Sequence, residues 1–125
     1  MIDWTKVSEL AEELGEDDFA DVVGLFLSDS DTAVADLIET DDSGTALRDR
    51  LHYLKGSAMT LGFVDMTCLC AEGEKLAHAG SGDQVDRDAI GRAYAAARAR
   101  LVADLPSRLG LRVPEGTVDP GAARA

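Results

Sequence analysis

His52 is the residue in this chain whose surroundings most resemble a reaction site. It lies in Leu51-His52-Tyr53-Leu54-Lys55-Gly56-Ser57-Ala58-Met59-Thr60-Leu61-Gly62. Leu47, Leu51, Leu54, Ala58 and Leu61 alternate four- and three-residue steps, which predicts one apolar stripe along a helix. At about 100° per residue, His52 points roughly 140° from the centre of that stripe and so faces water. Arg48, Lys55, Gly56 and Met59, at i−4, i+3, i+4 and i+7, share its face, with Asp49, at i−3, on its edge. A solvated helix face favours Glu, Lys, Gln and Ala, and glycine there costs about 1 kcal/mol relative to alanine. Gly56 is therefore unexpected one turn from an exposed imidazole. Its missing side chain leaves open ground for close approach by another molecule. Lys55 adds a cation on the same turn. A reachable nucleophile, space beside it and a positive charge together suit the arrival of a phosphoryl group.

Several elements must hold this face outward. Residues 3–14 place Trp4, Val7, Ala11 and Leu14 on one side, with Asp3 able to cap the start and Gly15 to close the end. Trp4 is read as a packing anchor. Residues 16–40 form a long helix with a seam of Phe19, Val22, Phe26, Ala33 and Leu37, widened by Val23, Val34 and Ile38. Ser30 interrupts that seam and is expected to bond back to its own backbone. Glu16, Asp17, Asp18 and Asp21 suit the positive end of the helix dipole rather than a metal. Thr40-Asp41-Asp42-Ser43-Gly44 is a turn, and Ser43 or Asp42 caps the next helix, about 45–61, which carries His52. Gly62 ends it in the left-handed conformation.

The helix expected over 65–79 starts on Asp65 and turns Met66, Leu69, Gly73 and Leu76 inward, with Gly73 implying close helix approach. His78, in its last turn, is read as a partner of the final carbonyls and the dipole. After Ala79-Gly80-Ser81-Gly82, a last helix over about 84–105 carries Ile90, Tyr94, Ala97, Leu101 and Leu105. Arg87, Arg92, Arg98 and Arg100 are read as its solvated surface. Beyond Pro106 periodicity stops. Residues 109–125 are expected to form a largely disordered tail, with Leu109, Leu111 and Val113 as residues able to dock on the bundle. No stretch alternates like a strand. The expected architecture is all-α: an antiparallel up-down four-helix bundle with a short additional N-terminal helix, one domain over residues 1–108.

Composition narrows the function. The chain has 125 residues with 24 acids against 12 bases, a net charge of −12. Such a surface argues against nucleic acid and anionic membrane as partners. The charge is uneven, because residues 46–64 hold Arg48, Arg50 and Lys55 against Asp49 alone. The helix with His52 is a positive island. Cys68 and Cys70, two apart on a helix, diverge and cannot bridge each other, and without further ligands they do not suggest zinc. The start Met-Ile-Asp-Trp-Thr lacks a signal-peptide pattern, and no run reaches the roughly 18 apolar residues of a membrane span. A cytoplasmic monomer is expected. Neither a nucleotide-binding glycine loop nor convergent carboxylates appear, so no cofactor and no metal are expected.

These residues closely resemble the histidine-containing phosphotransfer family, whose signature reads roughly His-x-Leu-Lys-Gly-Ser-(Ser/Ala)-x-x-Leu-Gly. His52, Leu54, Lys55, Gly56, Ser57, Ala58, Leu61 and Gly62 match it as they stand. Cys70-Ala71-Glu72-Gly73-Glu74-Lys75-Leu76 is similar to the family's following helix, although Gly73 replaces a larger residue. The resemblance spans about residues 4 to 105. It implies a phosphorelay carrier that takes a phosphoryl group on His52 from a receiver-domain phospho-aspartate and passes it to another receiver. The receivers would belong to response regulators and hybrid sensor kinases. In that scheme Lys55 screens charge, Gly56 gives the partner access, and Arg48, Asp49 and Met59 contact it. The chain would be a covalent carrier, not an enzyme turning over alone. The alternative is a helical adaptor or inhibitor that docks on a receiver or kinase without carrying phosphate.

Overall fold

A computed structural model describes residues 1–112 of the chain. Its helices are α1 (Trp4–Leu14), α2 (Glu16–Glu39), α3 (Gly44–Leu61), α4 (Val64–His78) and α5 (Arg87–Leu109). Among the described residues no strand forms beyond a single antiparallel bridge, Ile2 with Phe63. The expected all-α bundle with a short first helix is what folds. No helix in this range is long and apolar enough to cross a membrane.

The α3 stripe behaves as its spacing requires. Leu47, Leu51 and Leu54 are fully buried, and Ala58 and Leu61 nearly so. Gly62 stops α3 at φ 73° and ψ 23°, and its N–H donates to carbonyls of the last turn. A Cβ at Gly62 would lie 2.5 Å from the Asp3 carbonyl oxygen, so only glycine permits the α1 lead-in to cross there. Asp3 N–H donates to the Gly62 carbonyl at 2.7 Å, while its carboxylate caps α1 through Thr5 N–H at 3.1 Å. The short turn at Gly62 and Phe63 sends α4 back along α3. Gly73 then lets the two helices close, because a Cβ there would meet Leu51 Cδ1 at 3.0 Å.

Some expectations about the supporting elements are corrected. In α2 the buried line is Phe19, Val23, Leu27, Val34 and Leu37, with Val22, Phe26 and Ala33 only half-buried. The inner face is thus rotated from the expected seam, because it also accommodates a polar pair with α5. Asp31 and Arg98 are both buried. Arg98 Nε and Nη2 donate to the two Asp31 oxygens at 2.8 and 2.9 Å, and the buried Tyr94 hydroxyl donates to Asp31. Arg98 is therefore not surface decoration; a buried guanidinium needs a facing carboxylate, and α2 supplies one. Arg87 is likewise half-buried, donating to the carbonyls of Leu37, Thr40 and Asp42 at 2.8, 3.0 and 2.6 Å. Ser30 Oγ is buried without a hydrogen-bond partner among the described residues, not bonded back to its own turn.

The caps differ too. Helix α4 begins at Val64, and Asp65 pairs with the Met1 amino group at 2.9 Å. Ser43 occupies the N-cap position of α3 without a side-chain cap bond, and Asp42 is drawn instead to Arg50 and Arg87. Helix α5 starts at Arg87, with Asp86 as its cap, and runs through Pro106 to Leu109. Leu109 and Leu111 pack against the core. Val113 and the rest of the expected tail lie outside the described residues.

Candidate functional site

The side chain of His52 is 75% exposed, midway along α3 on the face opposite the Leu47–Leu61 stripe. Its ring is oriented from α4. His52 Nδ1 lies 3.1 Å from Glu74 Oε1, and Lys55 Nζ donates to Glu74 Oε2 at 3.0 Å. The Glu74 side chain is only 18% exposed. An ionised carboxylate accepts and does not donate, so in the neutral ring this contact places the proton on Nδ1 and leaves the lone pair on Nε2. Among the described residues Nε2 has no hydrogen-bond partner. One carboxylate therefore sets both the rotation and the neutral tautomer of this imidazole, and Lys55 balances its charge.

The close approach at Gly73 explains this meeting. In antiparallel α3 and α4, Leu51 rests against Gly73, which sets the next residues, His52 and Glu74, side by side. Glu74 has no special mark in the sequence. Its motif position is legible, but its contact depends on the register of two helices, and Gly73 was the one signal that could have pointed to it. Gly56 lies beyond the ring, where a Cβ would meet nothing within 4 Å. The open ground on this turn is thus real space.

Arg48 lies one turn before His52 and reaches α4 rather than the ring. Its Nη1 is 3.3 Å from Nδ1 of His78. His78 therefore faces α3 instead of serving only its own helix end. Toward the other end of the face, Met59 is 53% exposed. It lines a groove of about 190 Å³ with Lys6, Gly62, Val64, Thr67 and Cys68. Asp49 is set apart from these residues. It lines a groove of about 330 Å³ between α2 and α3 with Ala33, Asp36, Arg50 and Tyr53. Arg48, His52, Lys55, Gly56 and Met59 thus form one surface, and Asp49 belongs to its far flank.

Below this surface the side chains are buried. Cys70 is buried, and burial first, then the Glu74 charge, pushes its thiol up to about 12. It stays a neutral packing group, whereas Cys68 is exposed. Ser57, part of the motif, is buried at 6% and does not reach the outer face.

The arrangement leaves Nε2 of an exposed imidazole open to an incoming electrophile. No curated protein and no solved structure matches the chain. The family model described as Hpt domain matches residues 21–105. With the exposed imidazole, the His-to-Gly motif and most of α2 to α5 falling inside that match, the chain belongs to the Hpt domain family and has a histidine phosphotransfer role in phosphorelay.

Proposed function

We propose that the protein is a covalent phosphoryl carrier whose phosphorylated residue is His52, taking the group from the phospho-aspartate of one receiver domain and giving it to another. The observation that carries this reading is the Glu74 contact at 3.1 Å to Nδ1 of an exposed ring, which in the neutral imidazole leaves the lone pair on Nε2. In the transfer, Nε2 attacks phosphorus and a P–N bond forms. The P–O bond to the receiver aspartate breaks, and its electron pair stays on the aspartate carboxylate. The Nδ1 proton remains between the ring and Glu74, so no other proton need move. The reverse step on a second receiver follows the same path.

Phosphoryl transfer through a loose transition state depends mainly on position and charge. Glu74 positions the ring. Lys55, held 3.0 Å from Glu74, keeps that carboxylate from repelling the arriving oxygens and screens their charge. Gly56 leaves room for the receiver's loops, and Met59 offers them apolar contact. Receivers of response regulators and hybrid sensor kinases are the partners this surface suits. The receiver brings the acyl phosphate and its metal, so the carrier requires neither a nucleotide nor a metal of its own.

Incubation with a phosphorylated receiver domain tests the reading. An acid-labile, base-stable label is expected on the wild type and none on His52→Gln. A label that survives in His52→Gln overturns the assignment. Binding without any label on the wild type makes the protein a non-phosphorylated adaptor.

A further inference from the structure

We propose that Arg48, held by His78, is the cation that receives the phosphoryl oxygens on His52, and that His78 is its positioning residue. The inference rests on the carrier reading above and adds a second contact between α3 and α4 to the machinery of transfer.

Charge balance leads to Arg48. Lys55 is already engaged with Glu74 at 3.0 Å, and Glu74 also holds His52. Ammonium and carboxylate together are close to neutral, so this pair alone does not offset a phosphoryl group that arrives with negative charge. Arg48 has no carboxylate partner among the described residues; its polar contact there is the imidazole of His78, at 3.3 Å. Its positive charge is left over. It also sits at i−4 from His52, where side chains on one helix face start about 5–6 Å apart.

Geometry supplies the role of His78. A guanidinium only donates, so Nδ1 of His78 accepts and the ring proton lies on its Nε2. A free surface arginine loses rotamer freedom when it is ordered. His78 takes up one edge of the guanidinium beforehand and thereby reduces what must be ordered on phosphorylation. The remaining N–H donors of the planar fork stay available for phosphoryl oxygens. A lysine at this position offers no second edge and could not serve both partners in the same way. The register that brings Glu74 to His52 also brings His78, four residues later on α4, to Arg48, four residues earlier on α3.

The test uses the full chain with phosphoramidate, a small donor that removes any effect of partner docking. Its P–N bond breaks, ammonia leaves with the electron pair, and the new bond forms to Nε2 of His52. The rate of labelling and the lifetime of the phosphohistidine are measured. Arg48→Ala is expected to label about tenfold more slowly, equivalent to ~1.4 kcal/mol in the barrier. His78→Ala should slow labelling by about threefold, whereas His78→Gln, whose amide oxygen still accepts from the guanidinium, should stay close to wild type. In an Arg48→Ala background, His78→Ala should add nothing, since a residue that acts through another shows no independent effect. Arg92→Ala on α5 is the control.

Labelling of Arg48→Ala at the wild-type rate, with His52 still modified, overturns the proposal and leaves the carrier reading standing. Equal slowing by His78→Ala in both backgrounds overturns the positioning role. A wild-type chain that takes no label on His52 from either phosphoramidate or a phosphorylated receiver removes both readings together. Circular dichroism of each variant shows that the helices persist, as expected for changes at the surface.

Discussion

Glu74 holds two side chains of the site at once, and its substitution separates geometry from charge. Glu74→Gln retains an oxygen for the His52 Nδ1 proton but loses the charge that Lys55 pairs with. It should therefore slow receiver-dependent transfer by about threefold, whereas Glu74→Ala, which also frees the ring to rotate, should slow it by tenfold or more. Equal rates for Glu74→Ala and wild type would show that the ring needs no orienting partner. Lys55→Ala should reduce the transfer rate more than it reduces thermal stability, because a partly exposed ion pair contributes only about 0–1 kcal/mol to folding. At this scale the sequence made His52, Lys55 and Gly56 visible, because their types and spacing act within a single helix. It did not reveal that Lys55 is shared with Glu74 or that Arg48 meets His78. Those contacts cross between helices, and no local pattern encodes the rotation of α4.

Among the elements, the α3–α4 hairpin carries the candidate site, and two of its glycines have opposite duties. Gly56 faces open space, so Gly56→Leu should keep the helical circular dichroism and the melting temperature near wild type while slowing phosphotransfer from a receiver. Normal transfer by that variant would remove the access role. Gly62 has φ 73° and abuts the Asp3 backbone. Gly62→Ala should therefore destabilise the fold by at least ~1 kcal/mol from the left-handed conformation alone, with the clash adding to it, measured by urea unfolding. The motif disclosed both glycines. Their different reasons became clear only when α1 was seen to cross at Gly62 and nothing was seen to cross at Gly56.

Across the whole molecule, two polar clusters tie distant elements and were invisible in the periodicity. The first joins α2 to α5 through Asp31, Tyr94 and Arg98. Burial, then the bond to Asp31, raises the Tyr94 hydroxyl far above its usual range. Burial opposes the Arg98 charge, but the Asp31 carboxylate outweighs it and raises that group as well. Asp31→Asn leaves a buried guanidinium without its counter-charge and should cost about 3 kcal/mol of stability by denaturant titration. The second cluster closes the α2–α3 turn. Its Asp42 carboxyl is held below the usual range mainly by the hydrogen bond from Arg50, against opposing burial, with further help from Arg50 charge and Arg87. Because the folded value is lowered, this stabilisation is complete above the unfolded carboxylate value of about 3.9 and is lost as the pH falls through the folded one. Asp42→Asn should therefore be less stable than wild type at neutral pH, with the difference fading below about pH 4. A difference that stays constant well below that pH would show that the carboxylate charge is not the source. The amino-acid order by itself determined the helices, their buried stripes on α3, the left-handed stop at Gly62 and the outward imidazole, because each follows from periodicity or backbone freedom inside one segment. Tertiary structure alone decided which face of α2 turns inward, that Arg98 is buried, and that α4 presents Glu74 and His78 to α3. Those outcomes depend on the rotation and register of packed helices, which arise only when separate segments bury their surfaces against one another.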